Sequence, residues 1–318
     1  MAHAAMLCPL LLMLAGQSAA SPPEAAIEAA IAKLLANMTV AEKARQLVIE
    51  DVGTVLTNGF FDEAKAQAYL KGVGAGKFDS YGRNVDPRLG NQIQKAILAS
   101  SRHGIGGILS EECQHGVQGD WHTIFPSPYT IAATFDTELL GMIGSVIGAE
   151  ARAGGTAECW SPVCGLAREP RWGRSEEEMG EDPFLAGSLA AAMVKGMTGA
   201  GRASPATLSD STTVAPLLKH YAVYSVPESG RNAAPAHAGR REVREIFLPV
   251  FEKAVKAGAQ GAMSSYNEVD GEVNAASDFL LTQIPRNRFR GNGPAVPFEG
   301  YVYVHALIPV SITIAYFL

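Results

Sequence analysis

The sequence predicts an α/β fold, a (β/α)8 barrel of TIM type that is incomplete at its C-terminal end. Three observations predict it. Amphipathic helical patterns alternate with short apolar runs, the sequence form of a parallel sheet wrapped by helices. Polar residues cluster at the downstream ends of those runs, as Ser110-Glu-Glu112, Ser161, Lys219-His220 and Ser265-Tyr-Asn267. In a barrel those ends converge on one mouth, so four such loops point to one shared pocket. A doubly wound open sheet also gathers strand ends and is the alternative. Finally, of 318 residues 47% are hydrophobic and 18% charged, which supplies a packed core and shows no disorder signature.

Charge and composition narrow the function. Lys and Arg number 26 against 32 Asp and Glu, a net charge of -6, which excludes a basic nucleic-acid binder. The 33 Gly follow no three-residue period, no heptads persist and 4 Cys are sparse, so collagen, coiled-coil and disulfide-scaffold classes are excluded too. No Gly-x-Gly-x-x-Gly opens a helix, and no phosphate-binding loop or metal-type Cys or His pair occurs.

Taken in chain order, residues 1–20 read as a signal peptide, an apolar run from Leu7 to Leu14 followed by small residues up to Ala20. The run is too short to span a bilayer, which takes about 20 apolar residues. Secretion is the expected destination, and residues 21–318 form the barrel domain. Thr39-Val-Ala-Glu42 is a capping box opening a helix. Further helices are expected at Asp62 to Leu70, Arg88 to Ser101, Thr137 to Ala153, Pro183 to Met197, Arg241 to Ala257 and Asp278 to Asn287. The strands between them are Ile105 to Leu109, Glu158 to Trp160, Val214 to Leu218, Ala259 to Ser264 and Tyr301 to Val304. The segment from Tyr301 to Leu318 carries no acid, Lys or Arg. Pro309, His305 and the absence of flanking basic residues argue against a membrane anchor there. Cleavage near Ala20 would remove Cys8 and leave Cys113, Cys159 and Cys164, for which three buried thiols are expected. Asn37-Met-Thr39 is the sole N-glycosylation sequon.

The densest stretch runs from Trp160 to Phe184 and contains Glu169-Pro-Arg-Trp-Gly-Arg174 and Gly180-Glu-Asp-Pro183. It closely resembles glycoside hydrolase family 3, whose members carry an Asp-Pro-Arg-Trp-Gly-Arg core followed by Gly-Glu-Asp-Pro and a helix. Further segments similar to that family occur along the chain in the family's order: Ser110-Glu-Glu-Cys-Gln-His-Gly116, Phe125-Pro-Ser-Pro128, Lys219-His-Tyr221, Arg244-Glu-Ile-Phe-Leu-Pro249 and Ser265-Tyr-Asn267. The likeness covers about residues 39–291, while 292–318 is atypical. It leans to the β-xylosidase branch, because Ser-Glu-x-x-x-His-Gly stands where many β-glucosidases have Asp-Gly-x-His-Gly.

That resemblance implies a hydrolase of β-linked xylosides or glucosides that needs no cofactor, with a xylo- or gluco-oligosaccharide as its partner. It assigns sugar binding to Glu112, Arg174, Lys219, His220, Arg231 and Tyr266. Glu111 could exchange roles with Glu112, and Arg174 with Glu181 and Asp182 could instead form a surface ion network. His115 and Trp172 read as packing and loop-shaping residues. Retaining hydrolysis needs a nucleophilic carboxylate and an acid/base partner. In the family the nucleophile is an Asp ending the strand after the Leu-Leu-Thr helix. Here Val304 and His305 stand in place of Ser-Asp, no Asp follows Asp278, and Glu299 is the only later carboxylate, at the wrong end of that strand. Turnover by the family route is therefore not expected of this chain, and a non-catalytic sugar-binding relative is the alternative.

Overall fold

The computed structural model describes residues 24–80, 86–199 and 211–285 and the strand Val302–Tyr303. The signal peptide expected at 1–20 lies outside the described residues, as do Glu299, His305 and Pro309. The chain divides into two units, one ending at Met38 and one beginning at Thr39. The described part of the first is helix α1 (Glu24–Asn37).

The second unit opens with α2 (Val40–Gln46), whose capping box pairs the Thr39 side chain with the Glu42 backbone and the Glu42 carboxylate with the Thr39 N–H. There follow β1 (Ile49–Asp51), a hairpin of β2 (Leu56–Thr57) and β3 (Phe60–Phe61), α3 (Glu63–Leu70), β4 (Lys77–Asp79) and α4 (Pro87–Ser100). Next come β5 (Ile108–Glu111), α5 (Pro128–Ala132), α6 (Thr137–Ala153), β6 (Glu158–Cys159), α7 (Pro183–Met197) and β7 (Ala215–Tyr221). Helix α8 (Arg240–Glu242) runs through a π-helical segment, Val243–Phe247, into α9 (Leu248–Lys256). The described elements end with β8 (Gly261–Ser264), a hairpin of β9 (Glu268–Val269) and β10 (Glu272–Val273), and β11 (Val302–Tyr303).

Seven strands form one parallel sheet in the order β1-β4-β5-β6-β7-β8-β11. The order never reverses. A doubly wound sheet must reverse at its switch point, so the strictly sequential order is that of a singly wound, TIM-type α/β fold. Among the described residues no pairing joins β1 to β11.

Alternation along each strand sorts the side chains into two layers. Cys159, Leu218 and Ala262 belong to the outer core with α6, α7 and α9, and Phe78 and Leu109 pack with Leu70, Ile93 and Ile97 of α3 and α4. Their neighbours Trp160, Leu217 and Met263 form a separate inner cluster. Helices α6 and α7 approach so closely that a Cβ on Gly196 would lie 2.1 Å from the Gly141 carbonyl oxygen. Only glycine fits there. No helix among the described residues is long and apolar enough to cross a membrane.

Several expectations shift. Strands β1 and β4 have no counterpart in the apolar pattern, because they are three residues long and carry Glu50 and Lys77, both buried. Strand β5 starts three residues later than expected and continues through Ser110 and Glu111. Strand β7 likewise runs on through Lys219 to Tyr221. These polar residues therefore finish the strands instead of following them. The helix expected from Arg241 slips into π register because Pro249 has no N–H for the carbonyl of residue 245, and Leu248 donates to the Val243 carbonyl. The helix expected over 278–287 is a π-helical segment, Phe279–Gln283, next to Pro285. Cys113 and Cys159 form a disulfide with Cα atoms 5.4 Å apart, leaving Cys164 as a buried free thiol, so the expectation of three thiols is corrected. The parallel register pairs Glu111 with Cys159, which brings Cys113, two residues on, alongside.

Beneath the mouth, Lys77 of β4 makes a buried ion pair with Glu158 of β6, and Trp160 Nε1 donates to the same carboxylate at 3.2 Å. Burial pushes the Lys77 ammonium below its ordinary value, and Glu158 opposes that shift. Stranding a buried charge costs about 3–5 kcal/mol, whereas replacing both partners by apolar groups is often neutral. Lys77→Met should therefore lose about 3–5 kcal/mol in urea unfolding, and Lys77→Met/Glu158→Leu should recover most of it.

Candidate sugar-binding site

The end of β5 places two adjacent carboxylates, and the structure gives them different work. Glu111 is buried, accepts from Ser80 Oγ and takes the Glu112 N–H at 2.8 Å. Burial raises its carboxyl to about 7; the Ser80 and Glu112 hydrogen bonds oppose this, and the charges of Glu112 and Asp79 add to it. Glu112 turns instead to Lys219 of β7 in a buried ion pair through Oε2, while its Oε1 is buried without a hydrogen-bond partner. Glu112 is thus the one with a free acceptor.

Lys219 is fixed through its backbone. Its N–H donates to the Pro162 carbonyl at 3.2 Å and its carbonyl accepts from Cys164 N at 2.6 Å, tying β7 to the segment leaving β6. The Ser161-Pro162, Lys219-His220 and Tyr221-Ala222 peptides are cis. His220, also buried, lies with Nε2 at 3.2 Å from Arg174 Nη2.

Arg174 ends the loop after β6. Ser175 Oγ donates to the Trp172 carbonyl at 2.9 Å and the Glu169 carbonyl at 3.2 Å, and Arg171 grips Glu169 with two hydrogen bonds, so the loop is folded on itself. The guanidinium makes a bidentate pair with Glu177, Nε to Oε1 at 2.5 Å and Nη2 to Oε2 at 2.8 Å, and Nη1 reaches Tyr224 Oη at 3.5 Å. Burial opposes its charge, yet the Glu177 hydrogen bonds more than offset this and hold Arg174 above its ordinary value. The surface-network alternative is not what forms, since Asp182 caps α7 through the Leu185 N–H.

Tyr224, Asn232 and Glu177 complete the cluster and are not singled out by the sequence reading. Asn232 Oδ1 accepts from Tyr224 Oη at 2.8 Å and Trp172 Nε1 at 3.0 Å. The Tyr224 ring packs edge-on against Trp172 and Tyr266, and His220 lies against both tyrosines. Tyr266 keeps 42% of its surface exposed beside them. The signal for Tyr224 lay three residues beyond Tyr221 in a buried run. Arg231 is the exception among the expected binders, being exposed on the loop with no side-chain contact to the cluster. His115 pins its own loop, with Nδ1 2.7 Å from the Phe125 carbonyl oxygen, and Trp172 is buried.

Glu178 sits against Gly165 so closely that a Cβ there would lie 2.2 Å from its Oε1, and its Oε2 is buried without a partner. Burial first and the Glu177 charge second raise its carboxyl to about 8, with Arg174, the Gly165 N–H and Lys219 opposing.

The chain that carries this cluster is similar to known proteins over most of its length. Residues 38–314 match the Glycosyl hydrolase family 3 N terminal domain. The chain belongs to glycosyl hydrolase family 3. A β-xylosidase/α-L-arabinofuranosidase of Medicago sativa is 37% identical over 180 residues, covering 54% of this chain and 23% of the relative. A periplasmic β-glucosidase of Salmonella typhimurium is 28% identical over 280 residues, covering 88% of this chain and 34% of the relative. The solved β-glucosidase from Erythrobacter marinus superposes with a TM-score of 0.74 at 34% identity, covering 85% of this chain and 35% of that one. The matched part of the chain thus spans 23–35% of the length of these relatives.

A carboxyl raised from 4.5 to about 8 on folding contributes stability that is complete below pH 4.5 and lost as pH rises through 8. Glu111, raised to about 7, acts with the same sign over a lower range. Between pH 7 and 8 the decline should therefore belong mainly to Glu178, with a slope of at most about 1.4 kcal/mol per pH unit. Urea unfolding of Glu178→Gln across pH 5–9 should show that upper part flattened.

Proposed function

We propose that this chain is a secreted sugar-binding barrel of a β-glycosidase that acts on β-linked xylosides or glucosides. The observation that carries the reading is the convergence of Glu112, Lys219, His220 and Arg174 at the barrel mouth, with a buried, unpartnered Glu112 Oε1. A pyranose hydroxyl donating to that oxygen would satisfy it. The planar guanidinium of Arg174, already oriented by Glu177, suits vicinal hydroxyls. Tyr266, partly exposed and braced edge-on by the buried Tyr224, offers a ring face for the apolar side of the sugar. Export is supported by the apolar run at Leu7 to Leu14 and by the Cys113–Cys159 disulfide, a cross-link favoured in oxidising compartments.

Hydrolysis with retention requires one carboxylate to attack the anomeric carbon and another group to protonate the leaving oxygen. The sequence has Val304 and His305 where the family resemblance calls for Ser-Asp, and an imidazole cannot form the glycosyl ester of that route. We therefore assign binding without turnover to the sequence as it stands.

Purified chain is titrated with D-xylose and D-glucose by calorimetry and assayed on nitrophenyl β-xyloside and β-glucoside. Saturable binding without nitrophenol release is expected. A charge-assisted hydrogen bond contributes about 1.5–3 kcal/mol, so Arg174→Ala and Glu112→Ala should each weaken binding by about 10- to 100-fold. Turnover abolished by Glu299→Gln would overturn the assignment of an absent nucleophile, and binding unaffected by both alanine variants would overturn the site.

A further inference from the structure

A second cavity, of about 140 Å³, opens between the β9–β10 hairpin and the start of the α8–α9 helix, and none of its lining residues belongs to the Glu112–Arg174 cluster. Its polar wall is Asn274, Ser277, Arg240, Asp270 and Glu272; its apolar wall includes Phe279, Leu280 and Ala238.

Asn274 is fully buried, and its orientation is set by its neighbours. Nδ2 donates to the Ala222 carbonyl at 2.7 Å and Ser265 Oγ at 2.6 Å, with Asn267 Oδ1 at 3.3 Å. A flipped amide would set Oδ1 against the Ala222 carbonyl oxygen, so Nδ2 must face that way. Oδ1 is then left buried without a donor. An unsatisfied buried acceptor is costly, and a ligand hydroxyl is the kind of group that relieves it. Ser277 Oγ accepts the Leu280 N–H at 3.2 Å and retains its own O–H to donate. The exposed Arg240 guanidinium lies over the Phe279 ring at 4.8 Å and lines the cavity without an ion pair among the described residues.

The mixture selects the ligand class. Two carboxylates, Asp270 and Glu272, and an amide oxygen disfavour an anion. Arg240 disfavours a metal cation, and among the described residues no group of three acids, His or Cys gathers there. A hydrocarbon would strand the polar wall. Donors and acceptors in nearly equal number around one apolar wall complement a molecule with several hydroxyls and a C–H face. We propose that this cavity binds one small uncharged polyol of monosaccharide size, at a site independent of the Glu112–Arg174 pocket. The volume is ample for a small ligand, since one water takes roughly 10–15 Å³ of such space and the cavity offers about 140 Å³.

D-xylose is titrated into the full chain labelled with 15N-asparagine, and the Asn274 side-chain amide is followed by NMR. A saturable shift is expected in the wild type and in Glu112→Gln alike. Ala238→Leu, which fills the cavity from its apolar wall, should weaken that response by about tenfold or more, because overpacking of this size is strongly unfavourable. Arg240→Met, an exposed change that leaves the core intact, should weaken it as well. Calcium chloride and inorganic phosphate should leave the resonance in place. An Asn274 amide indifferent to xylose overturns the proposal. So does a shift unaltered in both cavity variants, a shift lost in Glu112→Gln, or a response to calcium or phosphate in place of xylose.

Discussion

The ion pair between Lys219 and Glu112 spans β6, joining the fifth strand of the parallel sheet to the third, and the barrel mouth is organised around it. Both side chains are buried, and an ammonium in that position without a carboxylate would carry a large desolvation cost. The pair therefore fixes where β5 ends and where β7 presents its last residues. His220 follows Lys219 directly, and its ring nitrogen is where Arg174 arrives from the loop after β6. One compensated charge thus sets the positions from which three segments meet. Such a pair is weak as a source of net stability and strong as a constraint on geometry.

The same logic recurs one layer down, where Lys77 and Glu158 join β4 to β6 beneath Trp160. On the outer face of the same strands a covalent tie does comparable work. The Cys113–Cys159 disulfide closes 46 residues of sequence and holds the residue after Glu112 against β6. In the chain-entropy treatment a loop of that size restricts the unfolded chain by about 4 kcal/mol. Glu112 is consequently held from two sides, by a charge toward the interior and by a disulfide toward the helices.

How much of this could be read from the chain depends on the range over which each determinant acts. Helices α6 and α7 fall where the sequence places them, because Asp136 and Asp182 cap them through side chains only a few residues away. Glu112, Arg174, Lys219 and His220 were legible because each lies inside a dense local motif, and the structure brings them together. Strands β1 and β4 were hidden because Glu50 and Lys77 break the apolar pattern, and their charges are met by Tyr69 beside Arg45 and by Glu158, 19 and 81 residues away. Tyr224 and Asn232 acquire their roles from Arg174 and Trp172, 50 and 60 residues away, which no local pattern reports. The pairing of Cys113 with Cys159 follows from the β5–β6 register, and register is a property of the sheet. Arg231 illustrates the converse, since a sequence likeness there did not bring its side chain to the cluster.

The chemistry of the pocket turns on the inequality of Glu177 and Glu178. Glu177 lies beside Arg174 and takes its guanidinium in two hydrogen bonds, so its charge is matched. Glu178, one residue on, is buried against Gly165, where a second anion beside Glu177 would be both desolvated and repelled. It is accordingly held neutral near pH 7. Lys219 then faces Glu112 and Arg174 faces Glu177, so each cation of the cluster has its own anion. Ionisation of Glu178 would place a further anion beside Glu177, where Arg174, the Gly165 N–H and Lys219 oppose the repulsion and the loss of hydration.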